Sequence, residues 1–294
     1  MNTTSDSRSQ FIGNCFAFLS AGSFALNMVL ASFSYGAGAN IHSLNLARGV
    51  GFLLCLVGVN LIKRKSVRLP FKVLLTCYGV GILLSIEMYV LLAAVKSIPV
   101  ALAVLIFFSY PILIAMYRWI KGVEPFTFRA MALMTLAFGG LIFVLLNAAV
   151  TPALAGVIFS ICAAITMAVM LISSEASLNA YDNTVVLFHV LSMVSVIMLS
   201  ISFFLVELAW PTGFIGWLGF TGSTFFYVSA TFALFSAVSL IGPLRMAIID
   251  NTAPVWAILF GYLILAESLS LLQMGGALVV VIAVMLLQIK PQTS

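Results

Sequence analysis

Two windows of this 294-residue chain read alike at one fixed spacing, and that spacing limits the fold more than any other feature. Pro111 to Glu124 reads PILIAMYRWIKGVE, and Pro254 to Glu267 reads PVWAILFGYLILAE. The same offset of 143 residues carries Gly79 onto Gly222, Leu91 onto Leu234, Ala94-Val95 onto Ala237-Val238 and Ile106 onto Ile249, without a gap. The chain therefore reads as a duplication of one half. The period is far too long for a solenoid repeat, which runs at roughly 20–50 residues.

Composition decides what medium the halves fold in. The chain is 63% hydrophobic and only 7% charged, against about 25% charged in a soluble domain. That is too little charge to cover a water-facing surface, so lipid must cover most of it. The net charge of +5 is then no nucleic-acid footprint. Cys15, Cys55, Cys77 and Cys162 fall inside apolar runs without paired ligand spacing, which argues against disulfides or a metal site. No cofactor is implied.

Residues 1–10 are polar, and an apolar run follows from Phe11 to about Phe33. A run of roughly 20 residues spans a bilayer, so this predicts a membrane helix, not a cleaved leader. Further spans are predicted at 43–62, 71–94, 98–119, 128–147, 153–174, 184–206, 214–236, 240–264 and 270–289. The expected fold is all-α: ten transmembrane helices, with a first five-helix repeat over 11–149, a second over 150–289, and short tails at 1–10 and 290–294.

Lys and Arg set the orientation. Arg8, Lys63, Arg64, Lys65, Arg68, Lys72, Arg118, Lys121, Arg129 and Lys290 all fall on the side of both termini, which is therefore read as cytoplasmic. Because five is odd, the second half enters the membrane from the opposite side. Inverted repeats of this kind permit alternating access, with a site near the midplane between the halves. Pro111 and Pro254 are expected inside the fourth and ninth helices, where proline removes a backbone hydrogen bond and makes a kink or hinge.

Charges inside the spans are the candidate chemistry. A charge at the bilayer centre costs at least about 2.5–3.5 kcal/mol, so it faces the bundle interior and finds a partner. Glu87 and Asp250 are candidates for proton coupling, and Arg245 is the obvious cation to pair with either. The alternative is a fixed ion pair that only holds helices together. Arg48 is the fourth ionisable candidate in or near the spans; near an outer helix end, it either takes part in the site or snorkels to the interface.

Helical spacing adds Ser20, Ser23, Asn27 and Ser34 on one stripe of the first helix. In the third helix Tyr78, Ser85 and Tyr89 share a face, and Glu87 points roughly 200° away from Tyr89. One of these faces lines a pathway and the other contacts a neighbouring helix. Arg245, Asp250, Asn251 and Thr252 form a polar cluster just before Pro254, with Phe107, Phe108 and Ser109 at matching positions in the first half. Phe107, Phe108, Phe225, Phe226, Tyr227 and Trp256 are candidates for an apolar pocket wall. The candidate binding set is thus Asn27, Tyr78, Ser85, Tyr89, Arg245, Asp250, Asn251 and Trp256. His42 and His189 read as packing residues. No HExxH, GxSxG or paired aspartates are present, so the sequence does not read as an intramembrane enzyme.

Each half closes on proline, about a dozen apolar residues, glutamate, a short polar turn and a last helix rich in small residues. With Pro111, Glu124, Gly139 and Gly140 in the first half, and Pro254, Glu267, Gly275 and Gly276 in the second, the chain resembles the drug/metabolite transporter superfamily. Its EamA-type members, which include YddG-type amino-acid exporters, are the nearest in pattern. The ARG around Arg48 also resembles the family's second helix, whereas Ala266 stands where the family carries glycine. The resemblance implies a multi-pass secondary transporter of the inner cell membrane, often proton-coupled, monomeric or homodimeric. It would export amino acids or related metabolites; the alternative is an importer of a cationic or aromatic metabolite such as choline, riboflavin or S-adenosylmethionine. It further implies a central cavity lined by the first, third, fourth, sixth, eighth and ninth helices.

Overall fold

A computed structural model describes residues 3–63, 66–122, 153–204, 206–250, 252–266 and 271–288, with scattered residues between 128 and 140. The expected span at 128–147 lies mostly outside the described residues, as do Glu124, Asn251 and Glu267. The elements are α1 (Thr3–Gly36), α2 (Ile41–Lys63), α3 (Phe71–Ser97), α4 (Val100–Phe107), α5 (Tyr110–Ile120), α6 (Leu154–Ala180), α7 (Asn183–Phe204), α8 (Gly213–Asp250), α9 (Ala253–Leu265) and α10 (Leu271–Gln288). Helix is what lipid demands, because the bilayer offers no water to backbone groups and a helix satisfies them within itself. Six of these helices contain a stretch long and apolar enough to cross a membrane, and the chain is a multi-pass membrane protein.

Local chemistry sets the ends. The Asn40 side-chain oxygen accepts from the Ser43 amide at 2.9 Å at the start of α2. Asp182 accepts from the Thr184 amide at 3.0 Å at the start of α7. Each supplies an acceptor to an orphan N–H of a first turn. Trp210 and Trp217 stack with ring centroids 6.3 Å apart between α7 and α8, and Trp119 is half-exposed at the end of α5. Indoles at helix ends suit the headgroup level.

α1 and α8 run antiparallel along most of their length. A Cβ at Gly219 would meet the Leu30 carbonyl at 2.8 Å, and one at Gly13 would run into the Ile241 side chain. Asp250, however, lies beside Ser20. From Ile241 a straight helix would carry Asp250 about 13 Å beyond Gly13, away from Ser20. The chain therefore doubles back between Ile241 and Asp250, a few residues later than the break expected at 236–240.

The expected continuous helix at 98–119 is instead two, α4 and α5, and in the segment expected at 240–264 one helix ends at Asp250 and the next begins at Ala253. Pro111 and Pro254 are not mid-helix kinks but stand in the first turns of α5 and α9, where proline's missing N–H costs nothing. The two breaks share one geometry at the 143-residue offset. Ser109 has φ −76°, ψ −8° and Thr252 has φ −75°, ψ −13°. The Ser109 amide donates to the Ile106 carbonyl at 3.1 Å, and the Thr252 amide to the Ile249 carbonyl at 3.0 Å.

Candidate functional site

The α1 stripe is the spine of the site. Ser20, Ser23, Asn27 and Ser34 are all buried, facing α8 and the core. Beside Ser20 and Phe24 lies a narrow cavity of about 30 Å³. α3 contributes Leu84 and Glu87, the end of α4 Phe107 and Phe108, and α6 Met167 and Met170. α8 contributes Tyr227, Ala230, Thr231, Leu234, Phe235 and Asp250. These are the segments that the family resemblance implied.

Two carboxylates meet in this wall, Glu87 at 3% exposure and Asp250 at 2%. Asp250 occupies the position matching Phe107 at the 143-residue offset, so equivalent sites of the duplication supply a charge and a ring to one cavity. The Tyr110 hydroxyl, at the first turn of α5, donates to Asp250 Oδ2 at 3.3 Å. The Ser20 side chain lies within hydrogen-bonding reach of the same carboxylate. Phe24 stacks on Phe107 at 5.3 Å and meets Phe108 edge-on at 5.7 Å. The cavity thus combines acceptors with an aromatic wall.

One to two turns along α1 from the cavity, toward its Gly36 end, lies a second polar cluster. Arg48, expected near the interface, is 1% exposed and deep among helices, so it does not snorkel. Its Nη2 donates to Asn27 Oδ1 at 2.5 Å and to Ser223 Oγ at 2.6 Å. The Ser223 hydroxyl in turn donates to Asn27 Oδ1 at 2.9 Å. The guanidinium lies over the Tyr227 ring, 4.9 Å from its centroid, within the range of a cation–π contact. Tyr227 also lines the cavity, so it borders both groups.

The other sequence candidates sit elsewhere. Tyr89 approaches His42, with its hydroxyl 3.4 Å from Nδ1, and Tyr78 meets His189 edge-on. The Ser85 hydroxyl donates to the Gly81 carbonyl within its own helix. α3 therefore turns Glu87 to the cavity and the tyrosine face to its neighbours. Trp256 stacks on Phe260 at 5.8 Å and Phe225 is largely exposed, so neither lines this cavity, whereas Phe107, Phe108 and Tyr227 do. The Arg245 side chain and Asn251 lie outside the described residues. Sequence reasoning did not single out Ser223 or Tyr110. Ser223 and Tyr227 stand at i, i+4 on α8, a spacing that would have marked that face.

The comparisons agree with this architecture. A solved crystal structure of a protein shares the fold at a TM-score of 0.67 and 21% identity, over 95% of this chain and 96% of that one. No curated protein matches the chain significantly. Residues 154–289 match the EamA-like transporter family, and this is the stretch that carries Tyr227, Asp250 and the second of the two helix breaks. Over that second half, the chain is similar to the EamA-like transporter family.

Proposed function

We propose that this membrane transporter of small molecules is a secondary active carrier in which two inverted five-helix halves, 11–149 and 150–289, rock about a shared site. In this reading both termini are cytoplasmic, the membrane is the inner cell membrane, and the substrates are amino acids or related compounds moved outward. The observation that carries it is the meeting of Glu87 and Asp250, one from each half, in a single apolar cavity. Buried carboxylates inside a membrane mark substrate or proton pathways. Glu87 and Asp250 accept a substrate ammonium or a proton, and the rings of Phe24, Phe107 and Phe108 hold the apolar body.

Matching backbone geometry at Ser109 and Thr252 supports the pairing of the halves, since a duplicated break gives each half one flexible joint at the same place. Pro111 and Pro254 follow these joints directly and serve as the hinge positions. Asn27 contributes by anchoring Arg48 beside the site.

A second reading, an importer of a cationic or aromatic metabolite, draws on the cavity wall itself. Among the described residues its lining carries two carboxylates and several rings but no basic side chain, which suits a cation.

Counterflow in liposomes separates the readings. Purified protein is offered labelled amino acids, choline and riboflavin. Accumulation of amino acids, competed by other amino acids, supports the first reading. Accumulation of choline or riboflavin alone supports the second. Silence across the panel from folded protein removes support from both substrate classes.

A further inference from the structure

Arg48 holds the one buried guanidinium of the described core, and all its observed partners are neutral. Asn27 and Ser223 accept hydrogen bonds from it and Tyr227 offers its ring face, but no carboxylate among the described residues forms an ion pair with it. Glu87 is within electrostatic reach and lines the cavity together with Tyr227, but makes no direct ion pair with it among the described residues. A buried cation with no carboxylate in direct contact is only partly compensated in a low-dielectric interior.

The hydrogen-bond census around it is lopsided in the same sense. Among the described residues, Arg48 Nε and the Asn27 amide nitrogen are buried without a partner, and the buried Tyr227 hydroxyl has Thr231 beside it. Each of these groups carries a proton to donate. Partly compensated positive charge beside spare donors is the complement of an anion.

We propose that the Arg48–Asn27–Ser223–Tyr227 cluster is an anion-binding subsite for a monovalent anionic group, entered from the cavity past Tyr227. Chloride from solution or the carboxylate of a transported molecule supplies the same chemistry: one negative charge that takes Arg48 Nε–H, the Asn27 amide and the tyrosine hydroxyl. The carboxylate source rests on the transporter reading above, with the substrate ammonium at Glu87 and Asp250; the chloride source does not. The subsite also explains why Arg48 stands so deep: its charge belongs beside the cavity and not at the headgroups.

The test is the thermal stability of the purified full-length chain in detergent, in sulfate buffer with chloride titrated in at constant ionic strength. A parallel titration compares leucine with isoamylamine, the same molecule without its carboxylate. A saturable rise in Tm with chloride, absent in Arg48→Gln, identifies a solution anion. A rise with leucine but not with isoamylamine, absent in Arg48→Gln, identifies a substrate carboxylate. Should Arg48→Gln not fold, Ser223→Ala leaves the charge in place and is expected to weaken either response at least several-fold. Equal response to leucine and isoamylamine together with no response to chloride overturns the subsite. Because the chloride arm requires no transport, failure in counterflow alone counts against the substrate reading and leaves the anion site standing.

Discussion

Gly79 and Gly81 lie two residues apart on α3, and the structure assigns opposite signs to the same substitution at each. A Cβ at Gly81 would stand 2.6 Å from the Val190 carbonyl oxygen and 2.8 Å from Met193 Cβ on α7. Neither atom is the end of a flexible side chain, so relief requires moving one helix against the other by about 0.8 Å to restore ordinary contact. Overpacking of this kind costs about 1–3 kcal/mol, partly offset by the 0.5–1 kcal/mol that alanine gains over glycine in a helix. At Gly79 a Cβ meets nothing within 4 Å, so only the favourable helix term remains. With about 2–4 °C of Tm per kcal/mol for a chain of this general size, the midpoints of these terms lower Tm by about 2–5 °C for Gly81→Ala, and Gly79→Ala is expected to raise it by about 1–4 °C. The assay is thermal unfolding in detergent, followed by fluorescence-detected size exclusion. Because α3 also carries Glu87, Gly81→Ala is expected to depress transport as well. A Gly81→Ala variant as stable as wild type would refute the close α3–α7 packing on which the position of Glu87 depends.

Three further outcomes follow from single residues. Ala266 caps α9 in the left-handed region at φ +53°, which costs a residue with a Cβ about 1–2 kcal/mol, so Ala266→Gly is expected to raise Tm by about 2–4 °C in the same assay. Tyr110→Phe removes the hydroxyl that donates to Asp250 Oδ2 and leaves the ring packing intact; a loss of about 1 kcal/mol is expected, read as a Tm lower by a few degrees. In a cysteine-free background, Lys96→Cys and Arg68→Cys are expected to react with an impermeant maleimide from opposite faces of the cell membrane, and labelling of both from one face would contradict the orientation.

The helices were legible because lipid leaves a chain few options: long apolar runs separated by turn residues place α2, α3 and α7 within about three residues of their expected ends, whereas α1 begins earlier, at Thr3, and α6 runs on to Ala180. The two prolines were read as kinks, and the structure puts them in first turns instead. Proline fits either position sterically, so its presence alone does not distinguish them; Ser109 and Thr252, residue types favoured before a helix, were the missed signal. Helical geometry showed that Glu87 and the tyrosine face of α3 could not share a cavity, but which face turned inward depends on α6 and α7, whose placement no local pattern encodes. Arg48 was misjudged for a related reason. Position along a helix says how deep a residue lies, not whether it faces lipid or core, and only packing against Asn27, Ser223 and Tyr227 decides that.

The central claim is that Glu87 and Asp250 together form the working site of a carrier. Its most direct test is counterflow in liposomes containing equal amounts of folded wild type, Glu87→Gln and Asp250→Asn, using whichever substrate wild type accumulates. Both variants preserve shape and remove only the charge, so both are expected to lose at least about tenfold in accumulation rate while keeping expression and Tm near wild type. Normal accumulation in both would contradict the account and leave the two carboxylates as structural groups.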